Sequence, residues 1–394
     1  MRTLQLNPAR PAACAVAALI LSTAAFAAQP IKVTGKVASL TFSDAASQLA
    51  RDPVDYVNAR PKLLPIASNY SAEMANADLM GSLATAAATG GTPAAVQGKD
   101  GDGKESPVFL GTPARIVPDD GGIYSPQEFG TSNLPFSTSR ADGATGTTNK
   151  TYPFRASGKL FFSENGSTFI CSASLIGKGL VVTAAHCVSD FGTNRFYSDF
   201  RFVPGYKNGA APYGNWTAKS VFVLAAYVQG TDTCSQRGVV CKDDVALIVL
   251  NPQNGKYPGS STGWYGWGYD GYGFTGNGLT HVTQIGYPAC LDNGQIMERN
   301  DSQGMTSSAN ANNTVIGSLM CGGSSGGPWL VNFGKRPNLT QTTSGFSSSD
   351  NIVIGVTSWG SISTGPKDQG AAPFLSTNIK NLVTAACNAY GTAC

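Results

Sequence analysis

Short apolar runs, each bounded by glycine, asparagine or proline, recur along the chain from about Tyr152 onward. Runs of this length that are rich in valine, isoleucine and phenylalanine are typical of β-strands. The pattern predicts ten of them: Lys159–Phe162, Thr168–Ile176, Leu180–Thr183, Phe200–Val203, Val221–Val228, Val245–Leu250, Leu279–Gly286, Thr314–Leu319, Trp329–Phe333 and Ile352–Trp359. Many short strands without intervening helices favour antiparallel sandwiches or barrels, and about 240 residues suit two small barrels packed together.

One helix is predicted near the C-terminus. The apolar residues that recur there at helical spacing are Ile379, Leu382, Val383 and Ala386. Thr377 or Asn378 can cap its first turn.

The first residues predict an export signal. Arg2 and Arg10 precede an apolar run from Pro11 to Phe26, and small residues follow before Gln29. A run of this length with a small-x-small site is typical of a cleaved secretory signal, so we expect residues 1–28 to be removed and the protein to be secreted. No later stretch is long and apolar enough for a membrane span, and we expect no membrane anchor.

The block from Gln29 to Arg115 has a weak pattern and no cysteine. Its alanine-rich pieces Ala45–Ala59 and Ala84–Gly91 suggest short helices, whereas Gln97–Ser106 is polar. Within the polar piece, Asp100-Gly101-Asp102-Gly103 resembles a fragment of a calcium loop but lacks the later ligands, so we interpret it as a solvated turn. Such a block between a signal peptide and a cysteine-bearing region is typical of a propeptide, so we assign residues 29–115 to one.

Composition narrows the class further. The chain has 394 residues, of which 42% are hydrophobic and 13% charged, and it contains 47 glycines. It is too apolar for disorder and too rich in turn residues for a helical bundle. A net charge of +3 favours neither nucleic acid nor an anionic membrane as a partner. No motif indicates a cofactor or a metal, and we expect a monomer.

Eight cysteines remain once Cys14 leaves with the signal peptide. An even number in an exported chain favours disulfides over metal ligation, although sequence alone does not fix their connectivity. Neighbouring positions predict four bridges: Cys171 with Cys187, Cys234 with Cys241, Cys290 with Cys321, and Cys387 with Cys394.

A glycine-rich stretch around Ser325 is the first candidate for chemistry. In Gly323-Ser324-Ser325-Gly326-Gly327-Pro328, small residues flank a serine, and backbone N–H groups can turn inward beside its hydroxyl. Taken alone, the run also fits a flexible loop or the nucleophile elbow of α/β-hydrolases.

Two histidines are available as a general base for Ser325. His186 follows the apolar run Leu180–Thr183 and has small neighbours, whereas His281 alternates with apolar residues and suits a surface or structural role. A carboxylate partner should stand at the edge of a core strand. Asp244 directly precedes such a run, and Asp243 points the opposite way on an extended chain, so we choose Asp244.

The order of these residues decides between the folds. An α/β-hydrolase has its histidine last, but no histidine follows Ser325 in this chain. The order His186, Asp244, Ser325 belongs instead to the double-barrel serine peptidases.

The chain thus resembles the chymotrypsin-like serine peptidases, an all-β fold of two packed antiparallel six-stranded barrels with a C-terminal helix. Thr183-Ala184-Ala185-His186-Cys187, Asp244-Val245-Ala246-Leu247 and the stretch around Ser325 match its three motifs. Cys171–Cys187 fits the family's disulfide beneath the histidine. The resemblance implies an enzyme with a Ser-His-Asp triad, an oxyanion hole at Gly323 and Ser325, and protein or peptide substrates.

Weaker motifs are similar to the glutamyl-endopeptidase-like bacterial branch. They are Thr147–Ala156, Ile285–Pro288, Phe374–Ile379 and Ile116–Asp120, the last resembling a mature N-terminus. We therefore expect the peptidase domain to span residues 116–394, with a core from 150 to 394. The propeptide is the expected inhibitor, and we expect its removal to uncover the cleft.

Specificity follows from the residues that, by resemblance, line the substrate site: Leu319, Met320, Cys321, Thr357, Ser358, Trp359 and Gly360. Leu319 offers no counter-charge to a basic side chain. Thr357 and Met320 stand where glutamyl endopeptidases have a histidine and a hydroxyl residue, so a glutamate would lack a cationic partner. We expect preference for small or medium apolar residues. Glutamate specificity and an inactive peptidase-like binding module are the alternatives.

Ser324 departs from the trypsin branch, which has an aspartate before the nucleophile. Activation through a salt bridge between a new N-terminal ammonium and that position is therefore not expected.

Overall fold

A computed structural model describes residues 31–42, 45–51, 54–65, 92–114, 135–142, 146–274, 278–307, 310–334, 349–360 and 368–394. The predicted signal peptide, the predicted piece Ala84–Gly91 and the predicted cut after Arg115 lie outside these residues. None of the described helices is long and apolar enough to cross a membrane.

Strands dominate the described part of the chain. Before residue 150 they are β1 Lys32–Thr34, β2 Val37–Thr41, β3 Arg60–Pro61, β4 Ala94–Val96, β5 Val108–Phe109 and β6 Phe136–Arg140. After it they are β7 Ser157–Glu164, β8 Ser167–Leu175, β9 Leu180–Thr183, β10 Ser198–Pro204, β11 Ala210–Ala211, β12 Trp216–Leu224, β13 Cys234–Gln236, β14 Val239–Cys241, β15 Ala246–Leu250, β16 Gly266–Tyr269, β17 Leu279–Gly286, β18 Glu298–Ser307, β19 Asn310–Gly317, β20 Pro328–Val331, β21 Ile352–Gly360 and β22 Asp368–Pro373. The α-helices are Ala45–Arg51, Ala225–Gln229, Gly259–Thr262 and Ile379–Ala389, and short 3-10 turns cover Thr148–Lys150, Phe154–Ala156, Ala185–Cys187, Asp292–Gly294 and Gly391–Ala393.

The first barrel closes six strands in the order β12, β10, β7, β8, β9, β15, with β15 pairing back to β12. Every residue of β9 and β15 is buried, as expected for runs of valine, leucine and isoleucine that lie between the barrel interior and the packing around it. The predicted runs are thus the walls of one continuous core.

The second barrel closes β20, β17, β18, β19, β22 and β21, with β21 pairing back to β20. Trp329 and Trp359 are fully buried in it. Two closed antiparallel six-stranded barrels confirm the predicted fold class.

The N-terminal block is built onto both barrels through strand pairing. β2 pairs with β12 and β3 with β8 on the first barrel, while β4 pairs with β16, which extends the sheet of the second barrel through β21. β6, which follows Arg115, pairs with β18 of the second barrel. The predicted helix Ala45–Ala59 is confirmed up to Arg51 and is wrong over residues 54–59, which are not helical. There the backbone bonds to neighbouring segments instead: the N–H of Asp55 donates to Thr168 Oγ1 and the carbonyl of Val57 accepts the N–H of Ala114, each at 2.9 Å.

The other predicted elements hold with small shifts. Val221–Val228 is wrong at its end, because the strand stops at Leu224 and a helical turn runs to Gln229. The C-terminal helix is confirmed, and Asn378 is its cap, since its side-chain Oδ1 accepts the N–H of Ile379. This helix packs against β15 and β12.

All four predicted disulfides are present: Cys171–Cys187, Cys234–Cys241, Cys290–Cys321 and Cys387–Cys394.

Candidate active site

His186 is positioned by a buried strand and by a disulfide-linked turn. It lies in the turn Ala185–Cys187, directly after the fully buried strand β9. The next residue, Cys187, is bonded to Cys171 in β8. Ala184 and Ala185 are fully buried, and their small size leaves room for the imidazole, which is itself 6% exposed.

Asp244 lies beside His186 because β9 and β15 are neighbours. Ala246 pairs with Thr183, so the start of one strand meets the end of the other. The Asp244 Oδ2 atom is 2.8 Å from His186 Nδ1, and Oδ1 accepts the backbone N–H of His186 at 2.9 Å. Both carboxylate oxygens therefore hold the same residue, which fixes the ring plane.

A third contact to Asp244 was not predicted from the sequence. The Ser358 hydroxyl donates to Asp244 Oδ2 at 2.6 Å, although Ser358 was expected only to face substrate. This bond crosses from the second barrel to the first. It ties the histidine-aspartate pair to the strand that by resemblance contacts substrate.

Asp243 and His281, the alternative carboxylate and the alternative base, make other contacts. Asp243 turns its backbone N–H toward Asp232 Oδ2 at 2.8 Å. Burial raises the pKa of Asp243, and burial together with the charge of Asp243 raises the pKa of Asp232 to about 7. His281 is exposed on β17, in agreement with a surface role.

The loop that carries Ser325 depends on glycine at two positions. Gly323 and Gly326 have φ values of +94° and +75°, which other residues rarely adopt. A Cβ atom on Gly326 would lie 2.0 Å from Thr183 Oγ1 and 2.8 Å from the backbone nitrogen of Ala184. This close approach sets Ser325 against the strand end that leads to His186.

Ser172, in β8, supports the same loop and was missed by sequence reasoning. Its backbone N–H donates to the carbonyl of Ser325 at 2.7 Å, and its hydroxyl donates to the carbonyl of Gly323 at 2.8 Å. Serine in the middle of a strand carries no motif that would have revealed this role.

Two polar atoms in the site are buried and unpaired. Among the described residues, neither Ser325 Oγ nor His186 Nε2 has a hydrogen-bond partner. The two atoms are therefore not hydrogen-bonded to each other here. Catalytic hydrogen bonds are commonly long or misaligned in a free enzyme and shorten when substrate binds.

A neutral polar network lies behind the residues predicted to line the primary pocket. Thr357 Oγ1 accepts from Trp329 Nε1 and from Gln284 Nε2, each at 2.9 Å. Gln284 also accepts from the Ser318 hydroxyl at 2.8 Å and bonds to Gln369 Oε1 at 2.5 Å.

Gln369 lies opposite Gly360 in the β21–β22 pair, and partners across an antiparallel pair face the same side. Its Nε2 donates to the carbonyl of Met320 at 2.6 Å. It was not predicted from the sequence, and we place it at the pocket wall. Burial raises the pKa of the adjacent Asp368 to about 6, but alternation along the strand turns that carboxyl to the opposite face.

The profile of the Trypsin family matches residues 144–383, which include both barrels and all three motifs. The chain belongs to the trypsin family.

Two curated relatives and one solved structure are similar to parts of this chain. An extracellular metalloprotease of Bacillus subtilis is 29% identical over 120 residues, covering 29% of this chain and 34% of that protein. A glutamyl endopeptidase of Bacillus licheniformis is 26% identical over 151 residues, covering 38% of this chain and 41% of that protein. The matches thus span well under half the length of each relative. The protease Anisep of Arthrobacter nicotinovorans has a TM-score of 0.46 and 25% identity, covering 60% of this chain and 94% of that one.

Ser324 sets this trypsin-family chain apart from trypsin itself. Its hydroxyl donates to the carbonyl of Cys321 at 2.7 Å, and its own carbonyl accepts from Gly327 at 2.9 Å. Ser324 thus closes its loop with neutral bonds, at the position where trypsin has an aspartate.

Some side chains that are able to ligate a metal ion lie close together in this structure. In the described residues, two groups have suitable donor atoms close together: Cys171 with His186 and Cys187, and Asp232 with Cys234 and Cys241. All four cysteines are in disulfides, so neither group offers the thiolates that would ligate zinc.

Proposed function

We propose that the protein is an exported serine endopeptidase, made as a precursor, that cuts protein or peptide chains through Ser325, His186 and Asp244. One observation carries the proposal. Asp244 holds His186 through both the ring Nδ1 and the backbone N–H, which leaves the buried Nε2 unpaired, and the Ser325 loop approaches the strand end that leads to His186 through Gly326.

In the proposed reaction, Ser325 Oγ attacks the substrate carbonyl while His186 Nε2 takes the hydroxyl proton. The imidazolium then gives that proton to the leaving amine, and an acyl-enzyme forms. Water repeats the sequence to release the acid. Asp244 keeps the proton on Nδ1 in the neutral ring and stabilises the imidazolium by its charge.

Backbone N–H groups of Gly323 and Ser325 would receive the oxyanion. Such donors are typically worth about 3 kcal/mol each, because they are already oriented when charge develops. The positive φ of Gly323 and the Ser172 hydroxyl on its carbonyl support this orientation.

For specificity, we propose small or medium apolar side chains at the residue before the cut. Every side chain in the network of Gln284, Ser318, Thr357 and Gln369 is neutral. A buried substrate carboxylate or ammonium would find no opposite charge there, which costs several kcal/mol. Glutamate specificity, suggested by the name of one relative, is the alternative.

Replacing Ser325 by Ala tests the chemistry. Turnover should fall on the order of 10⁶-fold, because a triad acts as a unit. A fluorophosphonate should label the wild-type chain at Ser325 and leave the Ser325→Ala variant unlabelled. Activity within tenfold of wild type would refute the role of Ser325. A wild-type chain that never labels would support the inactive binding module instead.

A panel of peptides that differ only at the residue before the cut tests the pocket. We expect kcat/KM to be highest for leucine, alanine or valine and at least 100-fold lower for glutamate and lysine. Gln369→Glu should raise the rate on lysine peptides, whereas Gln303→Glu, a change at an exposed position of β18, should not. A sharp preference for glutamate in the wild-type enzyme would contradict the proposed specificity.

Export and precursor synthesis rest on the predicted signal peptide and propeptide, with four disulfides as support. N-terminal sequencing of secreted, active protein tests both boundaries. An active form that begins well after residue 150 would refute a mature start at Ile116.

A further inference from the structure

A short segment of the N-terminal block lies across the candidate cleft. The backbone carbonyl of Lys62 accepts the N–H of Gly323 at 3.1 Å, and this N–H is one of the two proposed oxyanion donors. Three residues later, the carbonyl of Pro65 accepts the N–H of Gly360 at 3.2 Å. Residues Lys62–Pro65 thus cover both the oxyanion donor and the strand expected to bind substrate.

Apolar packing fixes this segment over the pocket. Leu64 is 8% exposed, whereas its neighbour Leu63 is 53% exposed. A Cβ atom on Gly360 would lie 3.1 Å from Leu64 Cδ1, and one on Gly322 would lie 3.5 Å from the Cα of Leu63. Leu64 therefore packs on the glycine that faces the predicted primary pocket.

The other end of the segment is bound to the first barrel. The N–H of Lys62 donates to the carbonyl of Ile170 at 2.9 Å, and β3 runs parallel to β8. Lys62 Nζ is 2.5 Å from Glu164 Oε2 and 3.0 Å from the Tyr197 hydroxyl. The Lys62 side chain thus contacts a carboxylate at the end of β7 in the first barrel.

These contacts define the direction in which the segment runs through the cleft. In a substrate, the acyl part carries the side chain that fills the primary pocket, so the residues preceding the bound carbonyl lie along Ser358–Gly360. Here the residues that follow the bound carbonyl of Lys62, namely Leu63 to Pro65, lie along that strand. The segment therefore runs opposite to a substrate.

We propose that residues 60–65 are a built-in inhibitor that occupies the substrate cleft in reversed polarity and so blocks it without being cut. The site would therefore bind an extended peptide in which a basic residue stands three positions before a proline, with apolar residues between the two. The inference rests on the proposed function, because it assumes that Ser325 is the nucleophile.

Reversal explains why the segment would survive. Hydrolysis at Lys62 would need His186 to protonate the nitrogen of Leu63 as it leaves. In a substrate that nitrogen faces the histidine, but in the reversed segment it lies on the pocket side of the carbonyl. The Lys62 carbonyl can therefore accept the hydrogen bond of the Gly323 N–H, while the leaving nitrogen of Leu63 has no general acid nearby to protonate it.

Leu64 and Leu63 offer a matched pair for the test in the full precursor. The rate of fluorophosphonate labelling at Ser325 is measured for wild type, Leu64→Ala, Leu64→Asp and the same two changes at Leu63. We expect labelling at least tenfold faster for both Leu64 variants, and within twofold of wild type for both Leu63 variants. Thermal unfolding of each variant checks that the fold is kept. If an aspartate variant proves to be unfolded, the comparison of Leu64→Ala with Leu63→Ala decides the test.

The outcomes separate the two proposals. Equal labelling rates in folded wild-type and Leu64→Ala protein would overturn the inhibitor while leaving the nucleophile intact. Absence of labelling in every variant, even after digestion of the N-terminal block, would overturn the proposed function itself.

The reversed chain direction of the segment is tested separately, by cleavage at the Lys62–Leu63 bond. Mass spectrometry of the aged precursor should show the Lys62–Leu63 bond intact, and a cut at that bond in wild type would overturn the reversed orientation. A synthetic peptide of residues 58–65 added to the Leu64→Asp precursor should slow labelling again and remain uncut. Failure to slow it at millimolar concentration would contradict direct occupancy of the cleft.

Discussion

Lys159 is a buried amine at the junction of the two barrels. Its Nζ donates to the carbonyl of Gly294 at 2.9 Å and lies 4.4 Å from the centre of the Tyr206 ring. The residue is 1% exposed, and burial lowers its pKa to about 7. An amine with one carbonyl and aromatic faces around it is weakly solvated when charged, so it loses its proton more easily than a free lysine.

Lys159 should make stability depend on pH. An unfolded lysine titrates near about pH 10.4. Between about pH 7 and that value the unfolded chain binds a proton that the folded chain does not, so stability rises with pH across this window. Lys159→Met should flatten that rise and stabilise the protein at pH 6 by on the order of 2–4 kcal/mol relative to wild type.

Urea unfolding at pH 6 to 10 measures the effect, and Lys178→Met, on an exposed lysine, is the control. An unchanged slope in the Lys159 variant would show that the amine stays charged in the folded state.

Strands that alternate or run apolar were predictable, whereas polar strands were not. β9 and β17 have the predicted bounds, because their valine, leucine and isoleucine residues indicate buried strands. β18, Glu298–Ser307, was missed since nearly all its side chains are polar. Several of them are buried and hydrogen-bonded instead, as Asn300 is to the carbonyl of Gly317 at 2.9 Å. Hydrogen-bond partners across the barrel are not visible in a local pattern.

The same limit applies to the candidate site. His186, Asp244 and Ser325 follow from local motifs and from their order along the chain. The bond from Ser358 to Asp244 joins residues 114 positions apart, and it depends on how the barrels pack. The contact of Lys62 with Gly323 depends in addition on a segment whose composition indicates no element.

At the scale of the whole molecule, the N-terminal block is a structural part of the folded chain. Val37 and Ala38 in β2 are buried in the main core, and β2 covers the edge of β12 from Ser220 to Leu224. Helix Ala45–Arg51 adds a bond from Gln48 Nε2 to the carbonyl of Ala218 at 3.1 Å. Loss of the block would leave an unpaired strand edge and exposed apolar surface.

A cut near Arg115 alone should therefore not open the cleft. The pairings of β2, β3 and β4 with the barrels involve no covalent link through residue 115, so the severed block should stay bound and keep Lys62–Pro65 in place. A site-specific protease sequence introduced at residues 113–118 allows this cut to be made on folded protein. We expect both pieces to co-elute in size-exclusion chromatography, with Ser325 labelling within twofold of the uncut precursor.

Further digestion of the bound block should then raise the labelling rate at least tenfold, and it should lower the thermal midpoint because β2 is lost from the edge of β12. An engineered cut that frees the block at once and gives full labelling would mean that strand pairing contributes little to its retention. In that case the linker through residue 115, rather than the β2 and β4 pairings, would be what keeps the inhibitor segment in the cleft.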